Sequence, residues 1–293
     1  MTTDGLCGAF ATEDVVYHNP DRTPLLARLY RPTVPGPLPA VVSVHGGRWC
    51  AESRLTNAPI DEALAASGIF VMALDFRMPP DARFPGPVAD INYAIRWLKS
   101  RADFYGLCAA WIGGVGTSSG GHQLMLNALT PADPDFTQNH APGMEAVDPA
   151  LAFFVACWPV SDPPARYRYA RERQMEIHVR SHEAYWQDES AMEKGSPQRI
   201  VSDGHSTHLP PALIIQGSND AILTPGMSER FAAAYREGGG SIVLEVFEGE
   251  GHTFIIKDPT SRASRDAIAC IAAFIHARSN HAAWVPAAVP VKG

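Results

Sequence analysis

Residues 111–129 read WIGGVGTSSGGHQLMLNAL, an apolar run that breaks into glycine and hydroxyl residues and then resumes with helical spacing. This order predicts a strand, a sharp turn and a helix. Within the turn, Gly116, Ser118 and Gly120 fit G-x-S-x-G, a pattern that holds a serine hydroxyl on a strained strand-to-helix corner. Ser119 opens the predicted helix, so its amide should point toward an anion that forms beside Ser118.

Apolar segments alternate with helical patterns along the rest of the chain. The runs at 40–44, 69–74, 151–157 and 212–216 are largely apolar, as strands buried on both faces require. Strands that alternate with helices form a mostly parallel sheet covered on both sides. We therefore predict an α/β fold, in which a ligand site lies at the carboxyl ends of the strands.

One segment, 163–208, does not follow this alternation. It mixes arginines, glutamates and aromatic residues without a strand pattern, and we interpret it as about two helices inserted above the sheet as a lid. The simplest domain count for residues 1–293 is a single α/β domain that carries this insertion. The Ala- and Pro-rich tail at 280–293 contributes no evident chemistry.

Composition and charge exclude several classes of function. The net charge is −7, from 24 basic and 31 acidic residues, and no basic run stands out, which argues against a nucleic-acid or anionic-membrane partner. A small, neutral or apolar substrate fits this charge better. Residues 1–12 lack a secretory leader pattern and no stretch reaches the length of a membrane span, so we expect a cytoplasmic protein.

The cysteines do not suggest a metal or a disulfide framework. They number five, an odd count, and contain no C-x-x-C pair. His178 and His182 are four residues apart and could share a helix face, but a third and a fourth ligand are not evident. We expect neither a metal nor a cofactor.

Two polar loops follow predicted strands on the same edge as the glycine-serine turn. Asp220 lies just after the strand at 212–216, and His252 lies just after the strand at 242–247. A serine hydroxyl is a weak nucleophile at neutral pH, so it needs an imidazole to take its proton and a carboxylate to orient that imidazole. The chain order Ser118, Asp220, His252 is the order expected of α/β hydrolases. These three side chains are our predicted catalytic residues.

A glycine pair follows the strand at 40–44. His45, Gly46 and Gly47 occupy this strand end, where glycine amides can donate to a tetrahedral oxyanion without obstruction by side chains. The amides of Gly46, Gly47 and Ser119 are the predicted oxyanion hole. His45 is expected to hold this loop in shape by hydrogen bonding.

With these residues in view, the chain resembles the hormone-sensitive-lipase-like and feruloyl-esterase-like (BD-FAE-like) branch of the α/β hydrolases over residues 38–276. The motifs that carry the resemblance are His45-Gly46-Gly47, Asp75-Phe76-Arg77, Phe84-Pro85, Gly116-Thr117-Ser118-Ser119-Gly120-Gly121-His122, Gly217-Ser218-Asn219-Asp220 and Gly251-His252. The resemblance implies an α/β hydrolase fold with a helical lid and a serine-dependent carboxylic ester hydrolase that acts on small to medium esters.

The oxyanion loop departs from the lipase-like pattern. Arg48 stands where lipase-like members usually carry a third glycine, and the pair Arg48-Trp49 is closer to the H-G-G-x-W of arylformamidase-like and feruloyl-esterase-like members. The resemblance and the proximity to catalytic loops indicate a substrate pocket. Its predicted lining residues are His45, Arg48, Trp49, Trp158, Tyr185 and Trp186.

Several alternatives remain open from the sequence. Asp162 also follows a strand and rivals Asp220, although an aspartate N-cap before Pro163 explains it without catalysis. An amide or formamide hydrolase would use the same three catalytic residues. A non-catalytic ligand-binding protein on the same fold is the alternative from another class. A homodimer would use an apolar edge strand or the last helix, and the sequence does not decide between dimer and monomer.

Overall fold

The computed structural model describes residues 8–139 and 142–278. The predictions for the first seven residues and for the tail at 280–293 lie outside the described residues. Within the described ranges the strands are β1 (Phe10–His18), β2 (Leu25–Pro32), β3 (Leu38–Val44), β4 (Phe70–Leu74), β5 (Leu107–Thr117), β6 (Phe154–Cys157), β7 (Ala212–Gly217) and β8 (Ile242–Phe247). Each predicted strand is present, with bounds that differ by a few residues.

These eight strands form one mixed, mostly parallel sheet. Their order is β1-β2-β4-β3-β5-β6-β7-β8, and β3 to β8 pair in parallel, whereas β1 and β2 form an antiparallel edge. Every residue of β3, β4 and β6 is buried. Because neighbouring side chains of a strand point to opposite faces, the sheet is covered on both sides. The predicted α/β fold is therefore confirmed.

Helices follow the strands as predicted, with one division. The helical segment between β4 and β5 is interrupted at Arg101, so it forms two helices, α2 and α3. The helices in the described part of the chain are α1 (Ala58–Ala66), α2 (Gly86–Ser100), α3 (Ala102–Tyr105), α4 (Ser119–Leu129), α5 (Pro163–Glu172), α6 (Glu176–Tyr185), α7 (Glu189–Lys194), α8 (Pro197–Ser202), α9 (Met227–Glu237), α10 (Phe254–Lys257) and α11 (Arg262–Arg278). Those ranges contain no helix long and apolar enough to cross a bilayer.

The lid insertion contains four short helices, α5 to α8, rather than the two that we predicted. Capping residues divide it: the side chains of Asp162, Asp188 and Ser196 accept hydrogen bonds from backbone amides at the starts of α5, α7 and α8. Such caps satisfy amides that have no partner within their own helix. The last lid helix ends at Ser202, and an irregular segment leads from it to β7.

One edge of the sheet is apolar and exposed. β8 lies at the end of the strand order, and its Val243 and Val246 side chains are 40% and 46% exposed. An exposed apolar edge strand is one of the two surfaces that the sequence offered for a homodimer, and the dimer stays a prediction.

A buried acid lies beneath the first helix. Asp61 of α1 is fully buried, and neither carboxyl oxygen has a hydrogen-bond partner among the described residues. Burial raises the pKa of Asp61 to about 8, the Ser43 hydroxyl opposes this effect, and Glu62 adds to it. The folded chain therefore holds this carboxyl protonated at neutral pH.

The raised pKa of Asp61 predicts that the free energy of unfolding depends on pH. The ordinary pKa of the carboxyl is 3.8 and its folded value is about 8, so between these values the unfolded chain has released a proton that the folded chain keeps. The free energy of unfolding consequently falls as the pH rises through this window. We expect Asp61→Asn to melt at a higher temperature than the parent chain at about pH 8, with a smaller gap at about pH 4.

The measurement is thermal unfolding, followed by circular dichroism, of both proteins across that range. Asp103→Asn, which changes an exposed acid in α3, is the matched control and should leave the pH dependence unchanged. A difference between Asp61→Asn and the parent that does not vary with pH would contradict the assignment.

Candidate active site

The serine of the turn lies on a strained corner between β5 and α4. Ser118 has φ 51° and ψ −117°, a conformation that side-chain-bearing residues rarely adopt and that costs about 1 to 3 kcal/mol. The corner is tight because a Cβ on Gly120 would lie 2.2 Å from the carbonyl oxygen of His45, and one on Gly116 would lie 2.8 Å from the Cα of Gly121. Glycine is therefore required at both positions of the motif.

The structure brings the three predicted catalytic side chains together. The Ser118 hydroxyl lies 3.0 Å from Nε2 of His252, and Nδ1 of His252 lies 2.7 Å from Oδ2 of Asp220. These residues follow three different strands, β5, β7 and β8, whose carboxyl ends share one edge of the sheet. The distances suit proton transfer from the hydroxyl to the imidazole.

The Asp220 carboxylate is held in place by several hydrogen bonds. Asp220 Oδ1 accepts hydrogen bonds from the amides of Ile222 and Leu223, and Oδ2 also accepts one from Gln216. Burial is the largest single effect and would raise the pKa of Asp220, but the hydrogen bonds and the charge of His252 together hold it below its ordinary value. An ionised Asp220 accepts from Nδ1–H of His252, which leaves Nε2 free to accept the serine proton.

The rival acid has a different position. Asp162 caps α5, where its Oδ1 accepts a hydrogen bond from the amide of Ala165 at 3.1 Å. This is the helix-capping alternative that the sequence offered for Asp162.

The predicted oxyanion residues surround the serine. A Cβ on Gly46 would lie 3.3 Å from Cβ of Ser118, and the amide of Trp49 donates to the Ser119 hydroxyl at 3.0 Å. Within residues 8–139 and 142–278, the backbone amides of Gly46, Gly47 and Ser119 have no hydrogen-bond acceptor. Three unpaired amides beside a serine hydroxyl form a suitable cradle for a developing negative charge.

The loop that carries these amides has a strained backbone supported by His45. Gly47, Arg48 and Trp49 all have positive φ, at 99°, 57° and 63°. The His45 ring stacks on Phe76 at 4.4 Å, and its Nδ1 lies 2.8 Å from the carbonyl oxygen of Gly46. Burial lowers the pKa of His45, so the neutral ring donates its Nδ1–H to that carbonyl and fixes the loop.

Four aromatic residues predicted to line the pocket are buried. Trp49, Trp158, Tyr185 and Trp186 are each at most 2% exposed. Trp49 stacks on Tyr185 and meets Trp186 edge-on, whereas Trp158 meets the His252 ring at 6.2 Å. These four side chains pack against the loops that carry the predicted catalytic and oxyanion groups. Their contact with a substrate stays a prediction.

His122 joins three parts of the site, a role that sequence reasoning missed. The Trp49 indole donates to His122 Nδ1 at 3.0 Å, and His122 Nε2 donates to the carbonyl of Gly195 at 2.8 Å. Burial lowers the pKa of His122 to about 4, so the ring is neutral at pH 7. The oxyanion loop, α4 and the lid are thereby connected through one imidazole.

Ion pairs brace the strand ends beside the site. Arg54 donates to Asp75 at 2.7 Å, and Arg77 pairs with the fully buried Asp90 at 2.7 Å. Asp75 and Arg77 belong to the loop after β4, so these contacts brace that loop. The described residues include no cluster of three or more His, Cys, Asp or Glu residues arranged to hold a metal.

Two lid residues near the site were not assigned to it from the sequence. Arg166 of α5 acts electrostatically on Asp220, and His178 of α6 is influenced by His252. Nothing in the sequence separates Arg166 from the other arginines between 166 and 180, because the three-dimensional arrangement alone buries it.

A family model and curated relatives both match this chain. The BD-FAE family model matches residues 28–235. Among curated relatives, the chain is 28% identical to esterase LipC of Mycobacterium tuberculosis, over 89% of this chain and 67% of that protein. It is 26% identical to esterase LipQ of the same organism, over 80% of this chain and 55% of that protein. The chain therefore spans between about half and two thirds of the length of these relatives.

Solved structures show the same fold over nearly the whole chain. A propionate-bound esterase, Est2 from Thermogutta terrifontis, has a TM-score of 0.74 at 23% identity and covers 94% of this chain and 96% of its own. A hyperthermophilic esterase from Pyrobaculum calidifontis has a TM-score of 0.75 at 25% identity, over 92% of this chain and 84% of its own. The fold is thus the α/β hydrolase fold, and the chain belongs to the BD-FAE family of α/β hydrolase esterases.

Proposed function

We propose that this chain hydrolyses carboxylic esters through an acyl-enzyme on Ser118. The observation that supports this most strongly is the continuous hydrogen-bonded chain from Asp220 through His252 to the Ser118 hydroxyl, at 2.7 and 3.0 Å. A hydroxyl so coupled to an imidazole and a carboxylate is an activated nucleophile. Esters of small to medium size are the proposed substrates.

The proposed reaction has two halves. His252 takes the proton of Ser118 as the hydroxyl attacks the ester carbonyl, and the amides of Gly46, Gly47 and Ser119 stabilise the oxyanion that forms. The protonated imidazole then gives its proton to the leaving alcohol, which departs and leaves the acyl group on the serine. Water, deprotonated by the same imidazole, attacks the acyl-enzyme, and the imidazolium returns that proton to the Ser118 oxygen as the acid is released.

The known relatives support both the reaction and the size of the acyl group. LipC and LipQ of M. tuberculosis are named esterases. Est2 of T. terrifontis has been solved with propionate and with butyrate bound, and it is phosphorylated by paraoxon. By analogy we propose short acyl groups for this chain as well.

Loss of the nucleophile provides the first test. We expect Ser118→Ala to lower the turnover of 4-nitrophenyl butyrate at least about a thousandfold and to abolish labelling by a fluorophosphonate probe. Ser202→Ala, which removes an exposed lid serine, is the control and should retain both. Labelling that persists in Ser118→Ala would overturn the proposal, and a parent chain that neither turns over nor labels would favour a binding protein.

The identity of the acid is tested by a pair of amide substitutions. Asp220→Asn should lower turnover by about ten-thousandfold, because an amide NH₂ facing Nδ1 of His252 favours the wrong tautomer. Asp162→Asn preserves a good N-cap and should leave turnover nearly unchanged. A large loss in Asp162→Asn together with a small loss in Asp220→Asn would reverse the assignment.

The oxyanion loop is tested by adding one methyl group. Gly47 has φ +99°, and its Cβ would lie 2.0 Å from the carbonyl oxygen of Ala51, so Gly47→Ala must displace the loop and its amides. Loss of one oxyanion donor costs about 100- to 1,000-fold in kcat, and we expect a loss in this range in steady-state assays.

Gly204→Ala is the matched control for that substitution. Gly204 also has positive φ, at +70°, but a Cβ there meets nothing within 4 Å. The control therefore isolates backbone strain, about 1 to 2 kcal/mol, and should lower the melting temperature without lowering kcat. Equal kcat in Gly47→Ala and the parent would exclude the proposed hole.

A further inference from the structure

A buried arginine of the lid has no partner in the described structure. Arg166 of α5 is 3% exposed, and its Nε and Nη1 atoms are buried without a hydrogen-bond acceptor in the described ranges. A guanidinium removed from water without acceptors is costly. The contacts of the described residues do not explain why an arginine occupies this buried position.

The acid that acts on this arginine, Asp220, does not pair with it directly. Asp220 is the only carboxylate that acts on Arg166 electrostatically among the described residues. Its two oxygens already accept from His252, Gln216 and the backbone amides that follow it in sequence. Arg166 consequently lies close enough to be influenced by the charge of Asp220 but donates no hydrogen bond to it.

Two further donors lie around Arg166. Nε of Arg48, on the oxyanion loop, and Nδ1 of His178, on α6, are also buried and lack partners in the described part of the chain. The charge of Arg48 acts on Arg166, and the charges of both arginines and of His252 act on His178. The three donors therefore come from three separate segments that approach one another at His178.

The charges of this cluster favour an anion. Burial, and then Arg166, Arg48 and His252, lower the pKa of His178 to about 4, so it is a neutral donor at pH 7. Arg166 and Arg48 contribute two positive charges to this cluster, and Asp220 is the carboxylate that acts on Arg166 among the described residues. A monoanion bound here would supply the missing acceptors.

We propose that Arg166, with Arg48 and His178, forms a carboxylate-binding subsite beside Ser118, and that the preferred esters of this chain carry a free carboxylate. This inference rests on the proposed function, because it specifies the substrate of the same site. The planar guanidinium presents paired donors that match a carboxylate. The overall charge of −7 favoured neutral substrates, but Arg166 and Arg48 place two guanidinium groups at this subsite.

Matched pairs of esters test the proposal on the parent chain. In one pair, 4-acetoxybenzoate and its methyl ester, the carboxylate lies on the leaving group. In the other, monomethyl adipate and dimethyl adipate, it lies on the acyl group. We expect the charged member of at least one pair to have a kcat/KM about tenfold higher or more, chiefly through KM, as hydrogen bonds to a charged group provide.

A substitution locates the source of the preference. Arg166→Met should remove the preference for the charged ester and leave the melting temperature unchanged or higher, because a buried charge without a partner has been removed. If Arg166 were structural, the melting temperature would fall and both members of a pair would lose activity alike. Arg168→Met, at an exposed position of the same helix, is the control and should keep the preference.

The outcomes separate this inference from the proposed function. If neutral esters are hydrolysed and neither pair favours its charged member, the carboxylate subsite is wrong and the esterase proposal stands. If no ester is hydrolysed, the proposed function itself fails. The comparison on the parent chain decides the question even if Arg166→Met does not fold.

Discussion

The close approach of two backbones at Gly120 is the constraint on which the site depends. The first turn of α4 packs so tightly against the end of β3 that a Cβ on Gly120 would lie 2.3 Å from the Val44 carbonyl oxygen. This contact forces the chain to turn sharply at Ser118 and places the His45 loop directly over the corner. The proposed nucleophile and the unpaired amides are therefore positioned by the same contact, and the backbone strain at Ser118 is the cost of that arrangement.

The other two residues of the proposed catalytic triad reach the corner because of sheet topology. β5, β7 and β8 run parallel, so the loops after them emerge at one edge although Ser118 and His252 are 134 residues apart in sequence. Hydrogen bonds from backbone amides then fix the carboxylate of Asp220.

The predictable features were those with a local sequence signal. The apolar strands, the glycines around Ser118 and the polar residues after β7 and β8 follow from steric and hydrophobic rules that act over a few residues. The lid was predicted less well, because its division into four helices depends on caps at Asp188 and Ser196 that have little hydrophobic periodicity beside them. Arg166 could not have been assigned, since its burial arises from contacts between distant segments.

The two hydrogen bonds of the His122 imidazole restrict how segments can be exchanged between related proteins. It accepts from Trp49 on one side and donates to the Gly195 carbonyl on the other, so both ring nitrogens are occupied by groups from different segments. A chimaera that imports a foreign lid would have to present a carbonyl at the same point, or import α4 and the oxyanion loop with it. The three segments are thus a single module for protein engineering, although they are far apart in the chain.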